Sequence, residues 1–486
     1  LINIVVFGTG SSSEKFVSDL DVNSVRILKF VDNNSSKHFQ EYMECQIIPP
    51  SNINSLEFDY IVIASQYTNE IMQQLLSLGV PYSKIVPADS NLHHQEIRTI
   101  HENIHSKIKK NVSKRKKGKL KIAITNYNNS HSNGYALYKN IPPFISTQYE
   151  VDLISEKNLN VLNQYDVICS SNHEGIYDGN KINIEMWHGF PIKRMGVMHE
   201  EHATEEFLAY QEKRGKNIDL IMSYSHLYTT FFNSCYPNNS NKYRLTGMPR
   251  NDLLFEEGSV SRMERIIGNK LADNHIVFYM PTWRKGQDKS VDSNREWSQL
   301  FGFTNETEDG IIRMIEENNL FLVVKLHPFE YEDWKDLSIF KHDKIYLLSD
   351  ETLVKENIHL YELMSCAEVL ITDYSSIYFD TLLVDIPVLF APTDLDEYGE
   401  KRGFLLDPYQ YLTPGPTSLS INELEIELVK CINGIDEYKN QRQMIKSLVF
   451  KHHDNQSSLR VWREIDKFLS EYCDRIDMLE RNEVIE

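Results

Sequence analysis

The sequence predicts an α/β protein in which several parallel sheets follow one another along the chain. Three observations lead there. Short apolar runs rich in Val, Ile and Phe alternate with stretches of helical spacing, the pattern of βαβ crossovers. The residues able to do chemistry sit where those runs end, which is where parallel sheets present ligand sites. The 486 residues are 41% hydrophobic and 25% charged, enough for a sizeable core and for about three compact units.

The first unit is expected over residues 1–90. IVVFGTG is an apolar strand entering a glycine turn, and VRILKFVDNN is a second strand ending at Asp32. FDYIVIAS supplies a third, IMQQLLSLGV has helical spacing, and KIVPA follows. Strand, glycine turn, helix and an acidic strand end is the order of a dinucleotide fold. Ser13 stands where the third glycine of GxGxxG belongs, so the segment reads as a Rossmann-like scaffold without a bound dinucleotide.

Residues 91–119 read as a helix and a basic linker. Lys107, Lys109, Lys110, Lys114, Arg115, Lys116, Lys117, Lys119 and Lys121 follow one another with no acid among them. Two readings stand for this run: a solvated linker, or a landing strip for anionic phospholipid at about 1 kcal/mol per basic residue. The whole chain carries a net charge of −19, which disfavours nucleic acid as a partner. The sequence holds no apolar run of membrane-spanning length, and its start lacks the basic and small-residue marks of a signal peptide. Six scattered cysteines without a CxxC pair fit a reducing compartment, so a soluble cytoplasmic protein is expected.

A second unit, residues 120–255, opens at LKIAITNY and continues through YEVDLIS, YDVICSS and INIEMW. A third, residues 256–425, takes HIVFYMP, LFLVVKLHP, KIYLLSD, AEVLITD and IPVLFAP as its strands. Residues 426–486 are expected to be C-terminal helices. Two α/β units in tandem imply a cleft with a ligand at the strand C-terminal ends.

Four strand ends carry the candidate chemistry. His188 follows INIEMW and precedes Gly189, so a tight turn can project the imidazole into a cleft as a general base. Lys193 and Arg194 follow within a turn and could face phosphate. Thr282 and Arg284 end the next such strand, a hydroxyl and a fork of donors suited to phosphate oxygens. His327 ends a third, before Pro328. After Thr372 and Asp373, Ser375 and Ser376 open an apolar helix, either as caps or as an anion site at its N-terminus. Each histidine alone could be structural. Together the four ends suit phosphate chemistry by positioning and electrostatics, with no clustered metal ligands and no cofactor called for.

WHGFPIKRMG, TGMPRNDLLF, YMPTWR, KLHP, ITDYSSIYFD and APTDLDEYGEKRGFLLDPYQYLTPGP resemble, in shared order, the CDP-glycerol glycerophosphotransferase family. That is the family of teichoic acid primases and polymerases and of related capsule enzymes, and the resemblance covers roughly residues 120 to 430. It implies a GT-B-like pair of Rossmann-like domains, here preceded by the small N-terminal one. It also implies transfer from a CDP-glycerol or CDP-ribitol donor to the hydroxyl of a lipid-linked or polymer acceptor, with CMP leaving; without a spanning segment, the enzyme is expected to reach that acceptor at the inner face of the membrane. His188 matches the proposed general base, and His327 the histidine at the donor pyrophosphate. Thr282, Arg284, Ser375 and Ser376 match positions expected on phosphate. Asp373 and Asp380 match flanking acids, structural or ligand-facing, and Arg402 and Gly403 match a segment bordering the cleft. Phe190 stands where the family commonly has a small hydroxyl residue. The N-terminal segment resembles the small nucleotide-binding domain that precedes some sugar-modifying transferases. Two other readings of the motifs remain: a GT-B nucleotide-sugar glycosyltransferase, and a non-catalytic module that binds a CDP-ligand.

Overall fold

The computed structural model describes residues 2–18, 20, 25–65, 67–81, 84–88, 119–172, 177, 181–199, 204–238, 240–271, 273–284, 300–303 and 306–483. The expected helical linker and all of the basic run except Lys119 and Lys121 lie outside them. Chain contacts gather into two compact units, Leu1–Lys114 and Arg115–Glu486.

The first unit holds β1 (Ile2–Phe7), β2 (Val25–Val31), β3 (Glu41–Tyr42), β4 (Cys45–Ile48), β5 (Tyr60–Ile63) and β6 (Ile85–Pro87). Their order is β3-β4-β2-β1-β5-β6, parallel except for the β3–β4 pair. The strands read as continuous apolar runs because both faces are covered. Val5, Phe7, Ile61 and Ile63 pack on one side with Leu75, while Ile4, Val6 and Val62 pack on the other with Phe16. The short antiparallel β3–β4 pair was not expected from the sequence.

The second unit contains two doubly wound sheets. The first has β7 (Lys121–Asn126), β8 (Glu150–Ser155), β9 (Val167–Ser170), β10 (Ile182–Glu185), β11 (Leu220–Ser223) and β12 (Tyr243–Leu245), in the order β12-β11-β10-β9-β7-β8. The other has β13 (His275–Tyr279), β14 (Leu320–Val324), β15 (Ile345–Leu347), β16 (Val369–Thr372) and β17 (Val388–Phe390), in the order β15-β14-β13-β16-β17. Every pairing in both is parallel. The strand order reverses beside β13, between it and β16, and such a reversal opens a crevice at the carboxyl ends.

The C-terminal helices explain why two sheets form one unit. Helix Ile421–Ile432 buries Leu424 and Leu428 in the core of the β13–β17 sheet. Helix Ser457–Glu483 returns to the β7–β12 sheet, where Trp462 is fully buried and its Nε1–H donates to the Leu137 carbonyl at 3.1 Å. The Ser457 and Ser458 N–H groups at its start donate to the Asp252 carboxylate at 2.8 and 2.7 Å. No helix among the described residues is long and apolar enough to cross a membrane.

Candidate active site

The carboxyl ends of the two sheets meet around a cavity of about 550 Å³. Trp187, His188 and Lys193 enter its wall after β10, Thr282 and Trp283 after β13, His327 after β14, and Ser375 and Ser376 after β16. Lys193, Arg214, Arg250 and Arg402 line it together with His131, His188, His199 and His327, and no carboxylate among the described residues does. In a chain of net charge −19, an acid-free cationic wall is a local field that attracts polyanions. No group of His, Cys, Asp and Glu side chains able to hold a metal occurs among the described residues.

His188 is set by a strained turn. Trp187 has φ +49° and Gly189 φ +154°, and a Cβ on Gly189 would lie 2.6 Å from the Ser376 Oγ. Glycine is required because the turn carrying the histidine touches the loop carrying the serines. His188 Nδ1 sits 2.9 Å from the Ser171 carbonyl oxygen. A carbonyl can only accept, so Nδ1 carries the hydrogen and Nε2 keeps its lone pair. The ring lies against Trp187, with centroids 4.3 Å apart, and against His131 at 5.0 Å.

Burial lowers the His188 pKa to about 4; the Ser171 bond opposes that shift and Arg250 adds to it. His327 falls to about 3 through burial, then Lys325, Lys193 and His188. Burial, followed by the neighbouring His188, His327, Arg250 and Lys325, holds His131 well below its ordinary value. The three imidazoles are therefore neutral at pH 7. A bound polyanion would oppose the cationic contributions and raise them.

Neither serine hydroxyl acts as a cap here. Ser376 precedes helix Ile377–Thr381 without making a side-chain cap. No described residue hydrogen-bonds either serine hydroxyl, and both serines line the cavity beside Thr282, whose Oγ1 accepts from Lys193 Nζ at 3.3 Å.

Arg284 corrects the sequence reading. It was expected on phosphate but is sealed behind the wall, 1% exposed. Its Nε and Nη2 donate to Asp394 at 2.7 and 2.8 Å, Nη2 also to Asp373 at 2.9 Å, and its guanidinium lies 5.0 Å from each of the Tyr374 and Tyr398 rings. Nη1 donates to the Thr282 carbonyl at 2.5 Å, and the guanidinium, held by two carboxylates between two rings, does not line the cavity. Asp373 also accepts from the Thr282 N–H at 2.8 Å, so it shapes the wall from behind. Gly403 shapes it as well: its φ is +70°, its carbonyl accepts from the Arg194 N–H at 3.1 Å, and a Cβ would lie 2.8 Å from Arg194 Cδ. Arg402 beside it lines the cavity; Arg194 does not.

Several residues on the wall were not singled out from the sequence. Arg250, 1% exposed, donates from Nη1 to the carbonyls of His131 (2.6 Å) and His188 (2.8 Å), and from Nη2 to Asp380 (2.6 Å). Asp380 belongs to the other sheet's helix and also accepts from the hydroxyls of Tyr224 and Tyr361. One buried ion pair thus fixes the His188 turn and ties the sheets together. Asn133 assists, donating to the Trp187 carbonyl at 2.5 Å and accepting from the Arg250 N–H at 3.1 Å. Phe190 packs on Phe379 at 4.5 Å, which makes it part of the contact between the sheets.

Two doubly wound sheets with their strand ends around one cavity give the second unit a GT-B-like transferase architecture. The chain belongs to the CDP-Glycerol:Poly(glycerophosphate) glycerophosphotransferase family, whose sequence model matches residues 120–467. Residues 1–86 match a separate model, described as C2185-like, N-terminal. The teichoic acid glycerol-phosphate transferase of Staphylococcus aureus (strain NCTC 8325 / PS 47) is 27% identical over 305 residues, covering 58% of this chain and 71% of the relative. The teichoic acid poly(ribitol-phosphate) polymerase of Bacillus spizizenii (strain ATCC 23059 / NRRL B-14472 / W23) is 29% identical over 226 residues, 45% of this chain and only 33% of the polymerase. The solved structure of the wall teichoic acid polymerase TagF shares the fold with a TM-score of 0.59 at 17% identity, covering 78% of this chain and 98% of that one. A variant of TagF has also been solved after a soak with CDPG.

Proposed function

We propose that this chain transfers glycerol phosphate or ribitol phosphate from a CDP-alditol to an acceptor hydroxyl, releasing CMP, in teichoic acid or capsule polymer synthesis. The acid-free wall carries the reading: Lys193, Arg214 and Arg402 with four histidines around one cavity suit a diphosphate donor, not a neutral substrate, while Arg250 is held by Asp380. The acceptor hydroxyl oxygen attacks the β-phosphorus of the donor, and its proton passes to His188 Nε2. As the new P–O bond forms, the bond to the bridging oxygen breaks and CMP departs with its electron pair. Lys193, Thr282, Ser375 and Ser376 meet the phosphate oxygens, and neutral His327 donates an N–H to the leaving phosphate. Because the diphosphate enters among cations, its own charge lifts the His188 basicity as it binds. No step calls for a metal, since positioning and fixed donors carry phosphoryl transfer here.

The same proposal places the enzyme at the inner face of the membrane, with the basic run from Lys107 to Lys121 attracted to anionic lipid. Vesicle co-sedimentation across a salt series checks that part; sedimentation indifferent to salt and to lipid charge would remove it.

The direct test incubates the protein with CDP-glycerol and CDP-ribitol, with and without a polyol-phosphate acceptor, and reads CMP. Acceptor-dependent CMP release supports the proposal. Release of a nucleoside diphosphate from a nucleotide sugar, with CDP-alditols inert, would make it a glycosyltransferase instead.

A further inference from the structure

The polar loop between β7 and helix Gly134–Lys139, YNNSHSN, carries a histidine that the transfer has not yet used: His131, on the cavity wall. The loop is held on both sides of that residue. Asn128 Oδ1 accepts from the N–H groups of Ser130 and His131, each at 3.0 Å, the turn that an asparagine makes with the backbone following it. The Ser130 hydroxyl donates to Asp350, the His131 carbonyl accepts from Arg250 at 2.6 Å, and the Ser132 carbonyl accepts from His359 Nε2 at 3.0 Å. The backbone that carries the ring is therefore fixed.

The same asparagine fixes the ring's hydrogen. Its Oδ1 is identified by the two backbone N–H groups that donate to it, so the other amide atom is the nitrogen. That nitrogen, Nδ2, lies 3.1 Å from His131 Nε2. An amide nitrogen can only donate, so Nε2 accepts, and the hydrogen of the neutral ring sits on Nδ1. No described residue accepts from it. His188 is the reverse: its Nδ1–H is taken by the Ser171 carbonyl, and its Nε2 lone pair remains. The two rings have centroids 5.0 Å apart. One acceptor and one donor thus stand side by side on the wall, and His327 from the other sheet lies within electrostatic reach of the donor.

We infer that His131 is a further catalytic residue of the proposed transfer, its Nδ1–H donating to a non-bridging oxygen of the phosphoryl group as the acceptor oxygen attacks. Asn128 is the positioning residue that keeps the hydrogen on Nδ1. No proton leaves His131: the hydroxyl proton passes to His188 Nε2, and CMP departs with the electron pair of the broken bond. Charge in such a transition state is spread over the non-bridging oxygens, and a donor already in place stabilises it without reorganisation. This inference rests on the transferase reading and deepens it.

The experiment has two arms. In the first, CMP release from CDP-glycerol with a polyol-phosphate acceptor is measured for wild type, His131→Leu and His131→Asn, beside melting curves. Leucine has no donor, whereas the asparagine amide can bring its nitrogen close to the place of Nδ1. In His131→Leu, kcat should fall about 10²-fold with a much smaller change in KM for CDP-glycerol, and His131→Asn should recover about tenfold of that loss. Unchanged kcat in a folded His131→Leu would overturn the assignment and leave the transferase reading standing. The second arm needs no turnover: isotope-edited NMR of the labelled histidines of wild type, with the His131 signals identified by their absence from either variant. The ring should carry its hydrogen on Nδ1 and none on Nε2, and saturating inorganic pyrophosphate should shift the Nδ1–H resonance. A hydrogen on Nε2, or an Nδ1–H that pyrophosphate does not move, would overturn the assignment. A shifted Nδ1–H in a protein that releases no CMP from CDP-alditols would keep His131 as a donor to phosphate and remove only the transferase reading.

Discussion

Two strand ends in this chain look alike in sequence and differ in what surrounds them. After β1, Gly8, Thr9 and Gly10 turn into helix Ser11–Ser18, with Asp32 at the end of the neighbouring β2. There the polar groups use one another: Thr9 donates to Asp32, Lys37 Nζ donates to Thr9 Oγ1 at 2.9 Å, and Ser13 Oγ bonds the Gly10 N–H at 3.0 Å. After β10 and β16 the opposite holds. His188, Ser375 and Ser376 line a cavity of about 550 Å³, and no described residue hydrogen-bonds His188 Nε2 or the serine hydroxyls. A glycine turn at a parallel strand end shows where a site can be; the proposed transfer uses the end whose polar groups lack internal partners.

The sharpest way to test the contrast is to remove the lone pair. His188→Asn should keep the fold and donor binding while transfer falls by about 10²-fold or more, the usual worth of a general base. CMP release beside a melting curve checks it; near-normal turnover in a folded variant would mean another group takes the proton.

Arg250→Met should act first on stability. It leaves Asp380 buried without its counter-charge, a loss of about 3–5 kcal/mol for a broken buried pair. Adding Asp380→Leu should recover most of the melting temperature but not the turnover, since the His131 and His188 carbonyls still lack their donor. Turnover that returns together with stability would reduce Arg250 to a fold element. Ser375→Ala and Ser376→Ala should be smaller and of the reverse kind. Each should weaken CDP-alditol binding by about 1.5–3 kcal/mol, with little change in melting, because Ser376 makes no cap to lose. Reduced stability with unchanged affinity would restore the capping account.

Most strands were legible because parallel strands buried on both faces leave continuous apolar runs, as in IVVF and LFLVV. The ones missed are short or weakly apolar: Glu41–Tyr42, Cys45–Ile48, LIMS at β11 and YRL at β12. His188, His327, Thr282, Ser375 and Ser376 were legible as strand-end residues. The direction in which Arg284 points was not, because it is decided by Asp394, 110 residues further on. Arg250 lay within a quoted motif, but nothing local tells a buried strut from a surface arginine. Arg214, in helix Glu205–Asn217, was hidden by its neighbours, since a helix so charged gives no sign that one face is covered.

Acid should weaken the site's own unit. His188, at about 4, and His327 and His359, each at about 3, lie below the ordinary histidine value because burial disfavours the imidazolium. Between those values and about 6.5 the unfolded chain binds more protons than the folded one. Stability is therefore complete above about pH 6.5 and declines as pH falls towards 4. Melting temperatures from pH 7.5 to 5 check this, and His359→Gln should flatten the slope. A flat wild-type profile would mean that the imidazoles titrate as in water.

The smallest effect belongs to the other strand end. Burial alone would raise the Asp32 pKa, but the Thr9 hydroxyl, the Asn34 N–H and Lys37 outweigh it and hold the carboxyl below its ordinary value. Asp32 is thus a satisfied carboxylate within its own loop. The Lys37–Asp32 pair is 3.5 Å long with Lys37 40% exposed, and pairs of that kind contribute about 0–1 kcal/mol. Lys37→Met should shift the melting of the N-terminal unit by no more than a few degrees and leave CMP release within about twofold. The contrast would break if it abolished transfer, or if a nucleotide bound wild type and not the variant. Either result would show that the acidic strand end meets a ligand after all, with Lys37 as part of its site. An unchanged turnover beside a small loss of stability would mean that Thr9, Asp32 and Lys37 serve only to close the loop that they form.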